Sequence, residues 1–248
     1  MSGRAGPGWL AVGILGLALQ HPALAGPPYV SDDPEPTDYR HFEIYTFTTG
    51  TATHDGTDGE AGIDFNYGGA PDLQLTATLP AGYNTSGGGR TNIGASNVEL
   101  AAKYRFLHQD DVGLDVAVFP RIFLPSGSRT VGDDHTSFLL PLWAEKDWDG
   151  GWTTFGGGGC VFTDRGARDF CLGGIVAAYL VLPNLQVGAE LAHQSADTQG
   201  TQAATSLGMG ARFDLNDTYH LLGYVRRGVE NADATDQVSW YASVLFTF

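Results

Sequence analysis

The sequence predicts an all-β fold: a single transmembrane antiparallel β-barrel of about twelve strands, preceded by a cleaved signal peptide. Three observations lead there. Apolar and polar residues alternate with period two through most of the chain. The connections between the alternating runs switch between long and short. The chain closes on an aromatic-rich strand ending in Phe248.

The N-terminal segment comes first. Arg4 is the only charge before Asp32, and Trp9 to Leu19 is an unbroken apolar run. That run suits a signal-peptide core and is too short for a membrane helix. Ala23-Leu24-Ala25 places small residues where a signal peptidase reads them, so cleavage is expected after Ala25. The chain then divides into a signal peptide (1–25), an irregular acidic, proline-rich arm (26–38) and the barrel (39–248). Asp32 to Asp38 holds two prolines and four acids, which no membrane strand tolerates. The arm is expected at the periplasmic end, folded into the lumen or lying against the rim. Asp32, Asp33 and Glu35 are its residues of interest.

The strands follow from alternation. Ala61, Ile63, Phe65 and Tyr67 oppose Glu60, Gly62, Asp64 and Asn66. Leu73 to Leu79 and Val98 to Phe106 repeat the pattern, as do Leu185 to Leu191 and Leu207 to Phe213. The inward face of Tyr39 to Thr53 is ambiguous, because Phe42, Ile44, Tyr45 and Phe47 occupy both parities. A soluble sandwich also alternates. Runs such as Asn97 to Leu107 and Gln237 to Phe248, however, reach the length that crosses a bilayer at a tilt. The long connections are Thr53–Gly59, Gly82–Ala95, Pro125–His135, Thr163–Arg168, Ser195–Ala203 and Gly228–Asp236. Short turns at Gly68–Pro71, His108–Asp111, Asp147–Gly151, Pro183-Asn184 and Leu215–Thr218 separate them. An even strand number with short periplasmic turns puts both termini in the periplasm.

The inward parity carries charge: Asp64, Glu99, Lys103, Arg105, Asp115, Arg121, Glu190 and Arg212, with the aromatics Phe119, Phe123 and Trp143. Lumen charges must pair or line a wet path. Cys160 and Cys171 sit symmetrically about a short turn, so a hairpin sets them opposite each other, and an exported protein is expected to bridge them. Gly156 to Gly159 is an unusual run for a strand, suited to a bend or a close backbone approach.

Several classes are excluded or disfavoured. With 13 basic against 28 acidic residues and a net charge of −15, the chain lacks the basic stripe that nucleic acid needs. The glycine run is not followed by a helical pattern, so no phosphate loop or cofactor is expected. The histidines after the expected cleavage site (His41, His54, His108, His135, His193, His220) lack ligand spacing, and no metal site is expected. The acidic loop residues Asp55, Asp58, Glu60, Asp133, Asp134, Glu230, Asp233 and Asp236 read as a solvated surface. His193-Gln194-Ser195 resembles the His-x-Ser element of outer-membrane phospholipases, with parity placing both on the lipid side. Ala196-Asp197 departs from that pattern, and Thr205 is the single polar candidate to orient the imidazole.

Phe42-Glu43-Ile44-Tyr45 and the preceding Asp32-Asp33-Pro34 resemble the opening of a family of outer-membrane barrels labelled for the meta-pathway of phenol degradation. The resemblance implies passage of small, often aromatic, compounds and no catalytic residues. The expected partners are outer-membrane lipid, a small-molecule solute, and the barrel assembly machinery, which would read the strand ending in Phe248. The leading expectation is a passive channel in the outer membrane for small, hydrophobic or aromatic molecules. A lipase-type hydrolase using His193 and Ser195, and a structural barrel with a plugged lumen, stay open as alternatives.

Overall fold

The structure, a computed structural model, describes residues 28–54, 56–86, 89–164, 169–197, 202–232 and 237–248. The expected signal peptide, the turn around Arg165 and Gly166, and the loop acids Asp55, Asp233 and Asp236 lie outside the described residues.

Fourteen strand segments form one antiparallel sheet. They are β1 (Phe42–Ala52), β2 (Gly56–Ala70), β3 (Leu73–Ser86), β4 (Thr91–Ala95), β5 (Val98–Leu107), β6 (Asp115–Val118), β7 (Arg121–Leu124), β8 (Ser137–Trp148), β9 (Trp152–Thr163), β10 (Phe170–Leu182), β11 (Leu185–Gln194), β12 (Ala204–Asp214), β13 (Tyr219–Glu230) and β14 (Val238–Thr247). β14 pairs back onto β1, from Glu43–Thr247 to Ala52–Val238, which closes the sheet. β4 and β5 both pair with β3 and share one wall position. β6 and β7 share another, between β5 and β8. Phe119-Pro120 interrupts that position, because proline has no N–H to give the ladder. The wall is therefore a closed barrel of twelve positions, and closure removes every sheet edge.

The connections differ from expectation at two places. β2 begins at Gly56 and β3 runs to Ser86, answered by β4 from Thr91. The first two expected long loops are thus largely hairpin that continues the ladder. On the opposite end, the turns are short, and one holds a single helical turn, α1 (Gln109–Val112), that stops at Gly113 in the left-handed region (φ 89°). Both Phe42 and Phe248 lie at this terminal end, where Phe42 N donates to the Phe248 carbonyl at 2.7 Å.

Alternation turns large apolar side chains outward all round the wall: Leu79, Leu100, Leu140, Ile175, Leu191, Leu207, Met209 and Val225 are all exposed. A face this apolar fits lipid rather than water. At the terminal end aromatic rings meet in a girdle. Phe42 stacks on Tyr67 and on Phe248, Trp152 leans on Tyr179, and Tyr219 meets Phe246 edge-on. Such girdles mark the membrane interface.

Inside, charge and packing share the space. Lys103, Glu145, Glu190 and Arg212 are buried with Trp143, Phe155 and Leu245. The ambiguous first strand resolves here: Glu43 and Tyr45 point inward and are buried, and Phe42 points outward. Cys160 and Cys171 are directly paired across β9 and β10 and joined by a disulfide.

Candidate functional site

Of the arm, residues 28–37 are buried or half-buried in the barrel interior, and Asp38 is exposed where the chain turns toward β1. Its hold on the wall is built from opposite sides. On one side, the buried Glu190 of β11 takes the backbone of the arm. Its carboxylate accepts from Ser31 N at 2.7 Å and from Val30 N at 3.1 Å. The Tyr224 hydroxyl of β13 donates to the same carboxylate. Three donors on one buried carboxylate satisfy it without a cation, through charge-assisted bonds.

On the other side, five wall positions away, Lys103 of β5 donates to Asp32 at 3.0 Å, to Asp33 at 3.2 Å and to the Glu35 carbonyl at 3.2 Å. Arg121 donates to the second oxygen of Asp32 at 2.7 Å and lies 3.7 Å from Glu99. Both cations sit over the Phe119 ring, at 5.0 and 4.1 Å from its centroid. Arg105 joins Glu35, Asp72 and Asp115. Nearer the terminal end, Thr37 N donates to Gln74 Oε1 at 2.8 Å, and Tyr39 bridges to Gly68. Glu190 and Lys103 are nearly diametrical in a ring of twelve, so the arm crosses the lumen.

Glycines make room for it. Tyr29 packs edge-on against Phe155 and Tyr224. A Cβ at Gly210 would lie 2.7 Å from the Tyr29 ring, and one at Gly174 would lie 2.6 Å from Ser31 Oγ. Gly208 stands between β11 and β13, and its missing side chain lets the Tyr224 hydroxyl reach Glu190. Of the expected Gly156–Gly159 run, Gly157 accommodates Trp143, which lies against it.

Burial perturbs the acids of the arm. It pushes the Glu35 carboxyl up to about 8, helped by the charge of Asp33 and opposed by Arg105. The Asp33 carboxyl rises to about 6, again chiefly through burial, with Lys103 opposing. Burial and then Glu190 raise the Tyr29 hydroxyl well above its ordinary value, which keeps it neutral.

Three cavities lie along the interior, and the arm borders two of them. A chamber of about 340 Å³ at the loop end is lined by Asp58, Glu60, Tyr83 and Asn84. A central chamber of about 250 Å³ follows, lined by Phe47, Asp64, Thr78, Glu99 and Tyr241 among others. A third, of about 450 Å³, opens at the terminal end beside Glu35, His41, Arg212 and His220. Glu60 lines both the first and the second, and Glu43 both the second and the third.

The residues singled out by alternation fall as follows. Asp64, Glu99, Lys103, Arg121 and Phe119 line the central chamber. Arg105 and Asp115 pair with each other at 3.6 Å beside it. Glu190 holds the arm, Trp143 is buried, and Phe123 is half-buried on the same strand parity as Arg121. Arg212 belongs to a separate knot, in which Asp214 joins it at 2.8 Å and His220 at 2.6 Å, and Thr247 meets His220 at 3.1 Å. Sequence reasoning missed Tyr29, Glu43, Gln74 and Tyr224. The parity of Glu43 was obscured by its aromatic neighbours, and Tyr224 is recognisable only once β11 and β13 stand two positions apart.

At the loop end, His193 is exposed on the outer face. Its Nδ1 lies 2.9 Å from Thr205 Oγ1, which donates to Glu230 at 2.5 Å. Ser195 Oγ accepts from Cys171 N at 2.9 Å. The imidazole thus faces β12 and the hydroxyl faces β10, the opposite neighbour.

No family model matches the chain, and no curated protein matches it. Among solved structures, the COG4313 outer membrane channel from Pseudomonas putida F1 is similar at 14% identity, with a TM-score of 0.73, over 87% of this chain and 98% of that one. The KdgM porin is similar at 13% identity and a TM-score of 0.57, over 83% and 99%. The NanC porin is similar at 9% identity and a TM-score of 0.55, over 83% and 98%. At these identities the likeness establishes the fold: that of an outer-membrane β-barrel.

Proposed function

We propose that the chain is a passive outer-membrane channel for small solutes, with a lumen partly filled by a docked N-terminal arm. The observation that carries this reading is the succession of three chambers, neighbours of which share the lining residues Glu60 and Glu43. They follow one another from the loop end to the terminal end, and the arm borders the second and the third. The apolar outer band and the aromatic girdle support a seat in the outer membrane, with the short turns and both termini on the periplasmic side. Names of similar structures point the same way: they are a channel and porins.

Phe47, Tyr45, Phe119 and Tyr241 give the central chamber aromatic walls. They favour small solutes with an aromatic or apolar body, in keeping with the family that Asp32-Asp33-Pro34 and Phe42 to Tyr45 resemble. We place the arm as a removable obstruction, since side-chain pairs and backbone hydrogen bonds hold it. The hydrolase alternative has less support, because Ser195 and His193 turn to opposite neighbours.

Liposome swelling and single-channel recording test the proposal on the mature chain and on a variant lacking residues 26–38. Small solutes should pass in both, faster in the shortened form. If neither form admits any solute, the plugged structural barrel is the better reading. Lipid hydrolysis abolished by Ser195→Ala would instead establish the hydrolase.

A further inference from the structure

The cations and anions along the three chambers are unequal in a specific way. Every lysine or arginine of the central chamber is already matched by two carboxylates. Lys103 holds Asp32 and Asp33, and Arg121 holds Asp32 and Glu99. Arg105, just beside it, meets Glu35, Asp72 and Asp115. Three carboxylates on the path are held differently. Asp64 accepts from Thr78 Oγ1 at 2.9 Å and from Asn66 Nδ2 at 3.3 Å. Glu43 accepts from Thr37 Oγ1 at 3.2 Å, and Glu60 from Ser96 Oγ. Among the described residues none of these three forms an ion pair.

Their positions matter as much as their number. Glu60 lines the loop-end and central chambers, Glu43 the central and terminal ones, and Asp64 the central one. Beside them, on the neighbouring strands β1 and β14, Phe47 and Tyr241 are stacked with ring centroids 6.2 Å apart and planes 10° from parallel, and both line the same chamber. The central chamber is lined by five carboxylates and two cations, and a confined space with such an excess attracts mobile cations and repels anions. The aromatic faces add attraction for a positive group and a surface for an apolar body.

We propose that the path is cation-selective and that its central chamber binds organic ammonium ions carrying an aromatic body, with Asp64 and Glu60 as the specificity-determining residues. The proposal rests on the channel reading for permeation, and on the chamber alone for binding. Carboxylate walls focus counter-ions by roughly tenfold or more in a narrow low-dielectric cleft. The preference fades as salt shortens the screening length to about 3 Å at 1 M.

Two measurements on the mature protein test it. In planar bilayers under a salt gradient, the reversal potential should give a cation-to-anion permeability ratio of roughly ten at 0.1 M salt. The ratio should fall at least threefold in Asp64→Asn combined with Glu60→Gln. By calorimetry in detergent, benzylammonium should bind at least about tenfold more tightly than benzyl alcohol, and benzoate should bind weakest. The double variant should lose most of that margin. A ratio at or below one, or benzoate binding as well as benzylammonium, overturns the proposal. So does a double variant that folds, judged by unchanged thermal unfolding, and keeps the full preference. A protein silent in bilayers would refute the channel reading alone. The calorimetry would then decide this inference by itself.

Discussion

Glu190→Gln is the sharpest perturbation of the arm, because it keeps the size of the side chain and changes only its acceptors. The native carboxylate offers Oε1 to Ser31 N at 2.7 Å, and Oε2 to Val30 N at 3.1 Å and to the Tyr224 hydroxyl. The amide has one oxygen and one NH₂ group. Whichever way it turns, the NH₂ faces a donor that was satisfied before. One arm N–H is then buried without an acceptor, at a cost of about 1–3 kcal/mol, and the remaining bonds lose their charge assistance. A total of about 3 kcal/mol is roughly a 100-fold shift from docked toward released arm. Hydrogen exchange of the Thr37 amide reads this, because Thr37 N bonds to Gln74 and is not itself touched by the substitution. Its protection should fall roughly 100-fold, with single-channel openings more frequent and thermal unfolding of the barrel little changed. Tyr224→Phe removes only the bond within the wall, so Thr37 protection should change by less than about fivefold, a shift below about 1 kcal/mol. If Glu190→Gln leaves Thr37 protection intact, the two anchors act independently and the picture of one cooperative arm is wrong.

Other perturbations separate the anchors. Lys103→Met leaves Asp32 and Asp33 without the buried cation they share. It should weaken arm docking by about 3 kcal/mol at pH 7; arm exchange should report less weakening at pH 5, where Asp33, with its carboxyl raised to about 6, can take a proton. Gly210→Val places atoms where the Tyr29 ring now sits. Arm protection should vanish while the barrel melts near its native temperature; an intact arm would show that Tyr29 has other room. Glu35 supplies the pH dependence. Its carboxyl is raised to about 8 when docked, so the docked arm binds the proton more tightly than the released one. Docking is then favoured at low pH and loses that contribution as pH rises from about 4.5 to about 8. Channel opening should become more frequent over that interval, and Glu35→Gln should flatten the dependence. A profile unchanged in Glu35→Gln would assign the titration elsewhere.

Much of the barrel was legible because strand geometry is local. Successive Cβ atoms point to opposite faces, so parity alone separates Asp64, Glu99, Lys103 and Arg121 from Leu75, Leu100 and Tyr104. Hairpin symmetry similarly fixes Cys160 opposite Cys171. Two stretches resisted for local reasons. Aromatics on both parities hid the inward face of β1, and the start of β2, the end of β3 and all of β4 read as loops because glycine, threonine and asparagine there continue a ladder without an apolar face.

What the sequence by itself determined is a closed barrel with a charged interior, a connection order and an acidic arm at one end. Only the tertiary structure decided where that arm goes and what it meets. Val30 and Ser31 reach Glu190 across 160 and 159 residues of chain. Lys103 becomes the partner of Asp32 and Asp33 because closing twelve strands puts β5 nearly opposite β11. The glycines at 174, 188 and 210 look like gaps in three separate strands. The pairing of β10, β11 and β12 sets them side by side as the surface that receives Ser31 and Tyr29. Pairing across a lumen depends on the ring as a whole, and no periodicity within one strand encodes it.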